Sequence, residues 1–281
     1  ALTNIILDPI LIFGIGPAPE MGVAGAAAAT VLGQTVSFIL LLIFANGKKG
    51  LTPISFKSFS FSPHDLWEIV KIGMPAFFRQ SLAAIATTLL NRAAGGYGDE
   101  AIAAMSVVNR VTFFMVSALF GFYQGFAAAC GFNLGAKRHD RVKDSFWFSF
   151  KAAVCGISIL ALCFFIFAPN IIALFRNEEE VIKIGAFTLR FHSAIMPVMS
   201  WTILLNFYYQ ACARSFETTV ISVARQGIFF IPLILLLPSW LGLTGVEISQ
   251  GAADILTFLA TIPLGIKAVK NIKKAASDSV N

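Results

Sequence analysis

The chain has 281 residues, 57% of them hydrophobic and only 13% charged, with 21 Lys and Arg against 15 Asp and Glu for a net charge of +6. Soluble domains carry about 25% charged residues, so this composition excludes an ordinary water-soluble fold and points to a chain that lives in lipid. The basic excess calls for no nucleic-acid partner, because membrane topology places such cations in loops.

Apolar runs long enough to cross a hydrocarbon core, about 20 residues each, are predicted near 22–45, 66–93, 101–131, 145–168, 181–211, 216–238 and 246–266, after a partial span over residues 1–13. The expected fold class is an all-α membrane protein, a polytopic helical bundle. Ala1 lies inside an apolar run with no charged targeting region before it, so the sequence reads as a fragment. The stretch from Asn4 (NIILDPILIFGIGPAPEMGVAGAAAATVLGQTVSFILLLI) resembles the one from Gly227 (GIFFIPLILLLPSWLGLTGVEISQGAADILTFLATI). Pro9 precedes Gly22-Val23 by the same interval that Pro232 precedes Gly245-Val246, an offset of 223 residues. Taken as a repeat length, that offset makes Leu66–Leu264 one complete unit of six spans and residues 1–45 the end of a preceding unit. An even number of spans per unit makes the units parallel, in a parent of about twelve spans. The domains read as 1–46, the end of a first lobe with one partial and one full span; 47–65, a cytoplasmic inter-lobe linker; 66–266, a second six-span lobe; and 267–281, a cytoplasmic basic tail.

Loop charge sets the orientation. Lys48, Lys49 and Lys57, then Lys137, Arg138, Arg141 and Lys143, then Arg214, then Lys267, Lys270, Lys273 and Lys274 all fall on one side of the span pattern. The alternate loops offer Arg176 and the acids Asp99, Glu100, Glu178, Glu179 and Glu180. The basic side is expected to be cytoplasmic, giving a multi-pass protein of the cell's inner (plasma) membrane with a cytoplasmic C-terminus. Ser62-Pro63 with Asp65 opens the second lobe as a helix cap followed by a proline in the first turn.

Enzyme chemistry finds no support. Cys130, Cys155, Cys163 and Cys212 form no CxxC pair, and His64, His139 and His192 stand in no HExxH motif. Gly95-Gly96-Tyr97-Gly98 lacks phosphate-loop spacing, and no GxSxG is present. No metal and no organic cofactor is expected.

Polarity inside the spans carries the information. A charge at the bilayer centre costs roughly 2.5–3.5 kcal/mol on the lenient insertion scale, so such residues face a bundle interior or a wet cavity. Gln80, Ala84, Thr87 and Asn91 recur at helical spacing beside Arg79 and Arg92; Ser106, Arg110, Ser117, Gly121 and Gln124 do the same in the next span. Glu247, Gln250, Asp254, Thr257 and Thr261 share one face of the last span. Uncharged members of such stripes also serve as interhelical hydrogen-bonding groups. Arg110, Arg190 and Asp254 lie eight or nine residues from the outer ends of their helices, roughly 12–14 Å deep, and are expected to meet in one layer, with Arg225 within reach of Asp254 from the other side. The candidate substrate cavity or buried polar network is therefore Gln80, Thr87, Asn91, Arg110, Gln124, Arg190, Arg225, Gln250 and Asp254.

Three stretches resemble one known family. QGFAAACGFNLGAKRHDRVKDSF (Gln124–Phe146) is similar to the end of span eight and the following loop of multidrug and toxic compound extrusion (MATE) transporters, in their MepA-like branch. FYYQACARSFETTVISVARQGIFFIPLILLLPSWLGLTGVEISQGAADILTF resembles spans ten to twelve, and ILDPILIFG with MGVAGAAAATVLGQ resembles spans five and six. The resemblance implies a twelve-span, two-lobed antiporter with a central cavity, expelling drug-like, often cationic compounds in exchange for protons or sodium ions by alternating access. Its expected partners are the lipid bilayer and small organic substrates, and the whole protein is expected to be a monomer.

The chain departs from the family where some members carry a coupling acid. The segment Phe77–Ala86, after Gly73-Met74-Pro75, holds none, nor does Arg190–Asn206. Asp254 is the acid deepest in a span, with Glu247 expected near the interface. Pro75, Pro197 and Pro232 are candidate bend points for lobe rocking, and Phe113, Phe114, Tyr123, Trp201, Tyr208 and Tyr209 are candidates to stack on flat cations. Two other readings stay open: a flippase for lipid-linked anionic saccharides, suited to excess arginine, and a non-transporting membrane protein, against which the repeat argues.

Overall fold

The computed structural model describes residues 2–15, 19–46 and 62–278, so residues 47–61 of the expected linker lie outside the described residues. In chain order the helices are α1 (Leu2–Phe13), α2 (Gly22–Asn46), α3 (Pro63–Gly95), α4 (Asp99–Gly135), α5 (His139–Ile166), α6 (Ala168–Phe175), α7 (Glu179–Ala211), α8 (Ser215–Val223), a π-helical segment (Ala224–Phe230), α9 (Ile231–Leu241) and α10 (Leu243–Asp278). Six stretches among the described residues are long and apolar enough to cross a membrane: α2, α4, α5, α7, the continuous Ser215–Leu241 and α10 through Ala275. The run expected to span over 66–93 is helical as α3, whose 33 residues have the length, but it is not among the stretches apolar enough to cross, since it carries Arg79, Gln80, Thr87 and Asn91.

The chain divides into two compact units, Ala1–Asp65 and Leu66–Asn281. In the first, α1 and α2 form a hairpin that closes on small residues. Gly25 lies against the Leu11 carbonyl, where any side chain would collide, Ala29 is buried, and the Asn4 amide donates to Thr30 Oγ1 at 3.4 Å.

In the second unit α7 is the central helix, packed on α4, α5, α6, α8 and α10. Every residue from Thr202 to Tyr209 is buried, so for two turns this helix has no outer face. Three of its polar side chains are bonded within the bundle. Ser200 Oγ and the Tyr123 hydroxyl are 2.6 Å apart, Asn206 donates to Ser222 Oγ at 2.9 Å, and the Tyr209 hydroxyl donates to the Leu264 carbonyl at 2.8 Å. Phe146 fills the α4–α5–α7 junction with edge-on contacts to Phe126, Trp147, Trp201 and Tyr208 at 5.5–6.2 Å between ring centres, the geometry aromatic quadrupoles favour. A smaller core ties α3 to the rest through Ala86, Leu90 and Ala94 against Met105, Phe230, Ile234 and Ala253.

Two turns in this unit are copies of each other. Lys137 and Ala213, 76 residues apart, both take a left-handed backbone (φ 57° and 55°) after α4 and α7. The next residues, Arg138 and Arg214, donate their N–H groups to the Asn133 and Tyr209 carbonyls at 2.9 Å, the six-to-one bond of a Schellman cap. The two hairpins matched by the 223-residue offset are less alike. The loop GIGPAPEMG, with three glycines and two prolines, separates α1 from α2, whereas α9 continues to Leu241 and Gly242 (φ 61°) turns directly into α10. Gly245, the counterpart of Gly22, therefore lies inside α10, where it lets that helix approach the Leu237 carbonyl.

Candidate functional site

The π-helical segment follows from one proline. Pro232 has no N–H to give the Ile228 carbonyl, and just ahead of it the Ile231 N–H reaches back five residues to Gln226. A π turn widens the helix and offsets its side chains, and such bulges collect at functional positions. This one carries Arg225 and Gln226.

Arg225 Nε donates to Asp254 Oδ1 at 2.7 Å, and Gln250 Nε2 donates to the same oxygen at 3.3 Å. Only 21% of the Arg225 side chain and 6% of Asp254 are exposed. A second guanidinium nitrogen lies 3.9 Å from Met199 Sδ. The pair is thus an ion pair across the π segment, α7 and α10, and either charge alone would be stranded in a low-dielectric interior. Around it lie polar atoms with no bond among the described residues: both ring nitrogens of His192, Ser193 Oγ and Gln226 Oε1. His192 is buried and sits in the field of both Asp254 and Arg225. Glu247, expected near the interface, is buried as well.

The sequence-predicted residues separate into two groups. Arg225, Gln250 and Asp254 come together as described. The single layer of Arg110, Arg190 and Asp254 does not form. Arg190 Nε donates instead to the Phe165 carbonyl at 3.2 Å, with its guanidinium 5.9 Å from the Phe165 ring centre. The cause is again a proline: Pro169 cannot supply the N–H that would close the helix on Phe165, and Arg190 fills the vacancy. Arg110 is exposed on α4 with no acidic partner among the described residues.

Gln80, Thr87 and Asn91 of α3 and Arg110 and Gln124 of α4 are all exposed, while the opposite faces bury Ala86, Leu90, Val107, Val111 and Leu119. Two membrane-length helices therefore turn polar stripes away from their own unit. The stripe of α10 does the reverse: Glu247, Asp254, Thr257 and Thr261 are buried, and the two threonines donate back to the Ala253 and Phe258 carbonyls of their own helix. Of the aromatic candidates, Tyr123, Tyr208 and Tyr209 are buried, and Trp201 is packed on Phe150 at 5.3 Å between ring centres, so these serve the core. Phe113 and Phe114 are the exposed ones. Missed at the level of sequence were the π turn and the burial of His192 beside the Arg225–Asp254 pair. An intramembrane histidine is visible in a sequence, but the charges that surround it are not.

Comparison with known proteins agrees with this architecture. The MatE family model matches residues 75–236. The multidrug export protein MepA of Staphylococcus aureus (strain N315) is 27% identical over 263 residues, 92% of this chain and 56% of that protein. MepA of Staphylococcus haemolyticus is 28% identical over 262 residues, with the same shares. An outward-facing multidrug resistance MATE family transporter of the MOP superfamily superposes with a TM-score of 0.84 at 22% identity, covering 97% of this chain and 61% of that one. A MOP superfamily transporter from Pyrococcus furiosus, described as having a binding pocket of reverse polarity that suggests a different function, superposes with a TM-score of 0.85 at 20% identity, covering 96% and 61%. The chain thus spans little more than half the length of the curated relatives it matches. With the family model matched over more than half of the chain and a MATE fold throughout, the chain belongs to the MatE family of multidrug and toxic compound extrusion transporters.

Proposed function

We propose that this chain supplies the second lobe, and the closing hairpin of the first, of a secondary active antiporter that exports drug-like, often cationic organic compounds in exchange for protons or sodium ions by alternating access. The observation that carries the reading is the pair of uncovered polar stripes on α3 and α4. Glutamine, asparagine and arginine along a membrane-length helix are costly against hydrocarbon and stable against a water-filled cavity. MepA, matched over nearly the whole chain, is named a multidrug export protein, which supports the same reading.

In this scheme Gln80, Thr87, Asn91, Arg110 and Gln124 line the cavity. The Arg225–Asp254 pair holds the π segment to α10, and Pro75, Pro197 and Pro232 are the bend points for lobe rocking. Asp254 is already engaged by Arg225, so the buried Glu247 and His192 are the groups assigned here to answer a coupling ion.

The test is efflux of a fluorescent cationic dye from vesicles holding the whole transporter under an imposed proton or sodium gradient. Gradient-driven efflux is expected, and the effective gradient names the ion. Folded protein that moves no dye under either gradient would overturn the proposal. A second reading, transport of lipid-linked anionic saccharides, is favoured by Arg79, Arg110 and Arg190, which have no acidic partner among the described residues. Arg110→Gln separates the two: cationic dye export is expected to persist, whereas an anionic cargo would lose its counter-charge and its transport.

A further inference from the structure

A concave feature lies apart from the Arg225–Asp254 pair and from both stripes. Between α5, α7 and α10 runs a groove of about 670 Å³. Phe150, Pro197, Trp201, Phe258 and Ile262 make its wall apolar, and Lys270 and Lys273 stand at one end. Gly265 sets its floor, because the Trp201 ring occupies the place a side chain there would need.

The charges at the end are unusual for their helix. Lys267, one turn earlier, is matched with Glu217 at 3.9 Å, whereas Lys270 and Lys273 have no ion pair among the described residues and no acid lines the groove. Length argues in the same direction. Phe258 and Lys270 are twelve residues apart on one helix, about 18 Å at 1.5 Å per residue, close to the roughly 15 Å of one leaflet's hydrocarbon. An apolar trench one leaflet long, ending in two unmatched cations at headgroup depth, has the chemistry of an anionic glycerophospholipid: an acyl chain against Trp201 and Ile262, and a phosphate between two ammonium groups.

We propose that the α5–α7–α10 groove is a binding site for one anionic phospholipid, its acyl chain along Phe150, Trp201, Phe258 and Ile262 and its phosphate held by Lys270 and Lys273. The proposal does not depend on the cargo of the transporter.

The test is lipid retention. Full-length transporter reconstituted in equal phosphatidylglycerol and phosphatidylcholine is extracted into a neutral detergent, and the lipid left on each protein is counted by mass spectrometry. Wild type is expected to retain phosphatidylglycerol over phosphatidylcholine by about tenfold, as two lysines near an anionic headgroup allow. Lys270→Gln/Lys273→Gln is expected to erase that preference, and Ile262→Trp, which fills the trench and leaves both charges, to release the lipid. Lys267→Gln, which removes an equal charge already matched by Glu217, is expected to leave the preference intact. Equal retention of the two lipids by wild type, or a preference that survives Lys270→Gln/Lys273→Gln, would overturn the site.

Discussion

Asp254 accepts from both Arg225 and Gln250 through one oxygen, so Asp254→Asn keeps its shape while stranding a guanidinium that is only 21% exposed. Removing one partner of a buried pair costs about 3–5 kcal/mol, and the partial exposure of Arg225 reduces this to on the order of 2–4 kcal/mol. Asp254→Asn is therefore expected to lower the thermal unfolding midpoint in micelles markedly, and Asp254→Asn/Arg225→Gln to recover most of the loss. A double variant as unstable as the single one would show that the pair is not the source of the effect. Arg190 gives the complementary expectation. Because it serves the Phe165 carbonyl, the losses from Arg190→Leu and Asp254→Asn are expected to add within ~0.5 kcal/mol in a double-mutant cycle. The contrast marks what a sequence reveals at this scale. Asp254 and Arg225 were legible as partners because each is unaffordable alone in an apolar span. The partner of Arg190 is a backbone carbonyl freed by Pro169, and every residue has a carbonyl, so nothing in the side-chain pattern pointed to it.

The α4 and α7 caps turn on residues without the freedom their conformation asks for. A left-handed backbone costs roughly 1–2 kcal/mol for a residue with a side chain and nothing for glycine. Ala213→Gly and Lys137→Gly are each expected to stabilise the unit by up to about 1 kcal/mol, read as a rise in the unfolding midpoint; a fall in both would mean that the turns are not held as described. Helix contact gives the opposite sign at Gly251. A methyl group there would come within 2.5 Å of the Phe191 ring and 2.6 Å of Ile195, at the α7–α10 crossing. Gly251→Ala is expected to cost about 1–3 kcal/mol, while Gly125→Ala, with open space around it, is expected to be neutral or mildly stabilising. Six spans were legible from apolar length, whereas α6 falls mostly where a loop was expected and α3 is less apolar than the run over 66–93 suggested. Not legible were the π turn, which depends on where the carbonyls ahead of Pro232 find donors, and the unequal hairpins, where the 223-residue offset matched Gly22 to Gly245 but one second helix starts at Gly22 after a Gly/Pro loop and the other at Leu243, straight from Gly242.

For the molecule as a whole, the family was readable from motif, charge and loop length together, whereas the division of polar residues between an inward and an outward set was not. Helical spacing placed the stripes of α3, α4 and α10 each on one face, but spacing is silent about which face is covered. Packing decides it: α10 turns its acids to α7 and the π segment, while α3 and α4 bury their alanines, valines and leucines and leave Gln80, Thr87, Asn91 and Gln124 outside. Exposure alone does not separate water from lipid, because Ile159 and Leu162 of α5 are also exposed, and chemistry must separate them. A water-filled cavity suits the amides and the hydroxyl; hydrocarbon suits the isoleucine and the leucine. In a background with Cys130, Cys155, Cys163 and Cys212 replaced, single cysteines at Thr87 and Gln124 are expected to react with a membrane-impermeant maleimide in intact vesicles, and cysteines at Ile159 and Leu162 to resist it. A bound cationic substrate is expected to slow labelling at Thr87 and Gln124 and to leave a reactive cysteine at Glu100, in the exposed first turn of α4, unaffected. If Thr87 and Gln124 prove as unreactive as Ile159 in folded protein, the stripes are dry, and the transport path runs elsewhere.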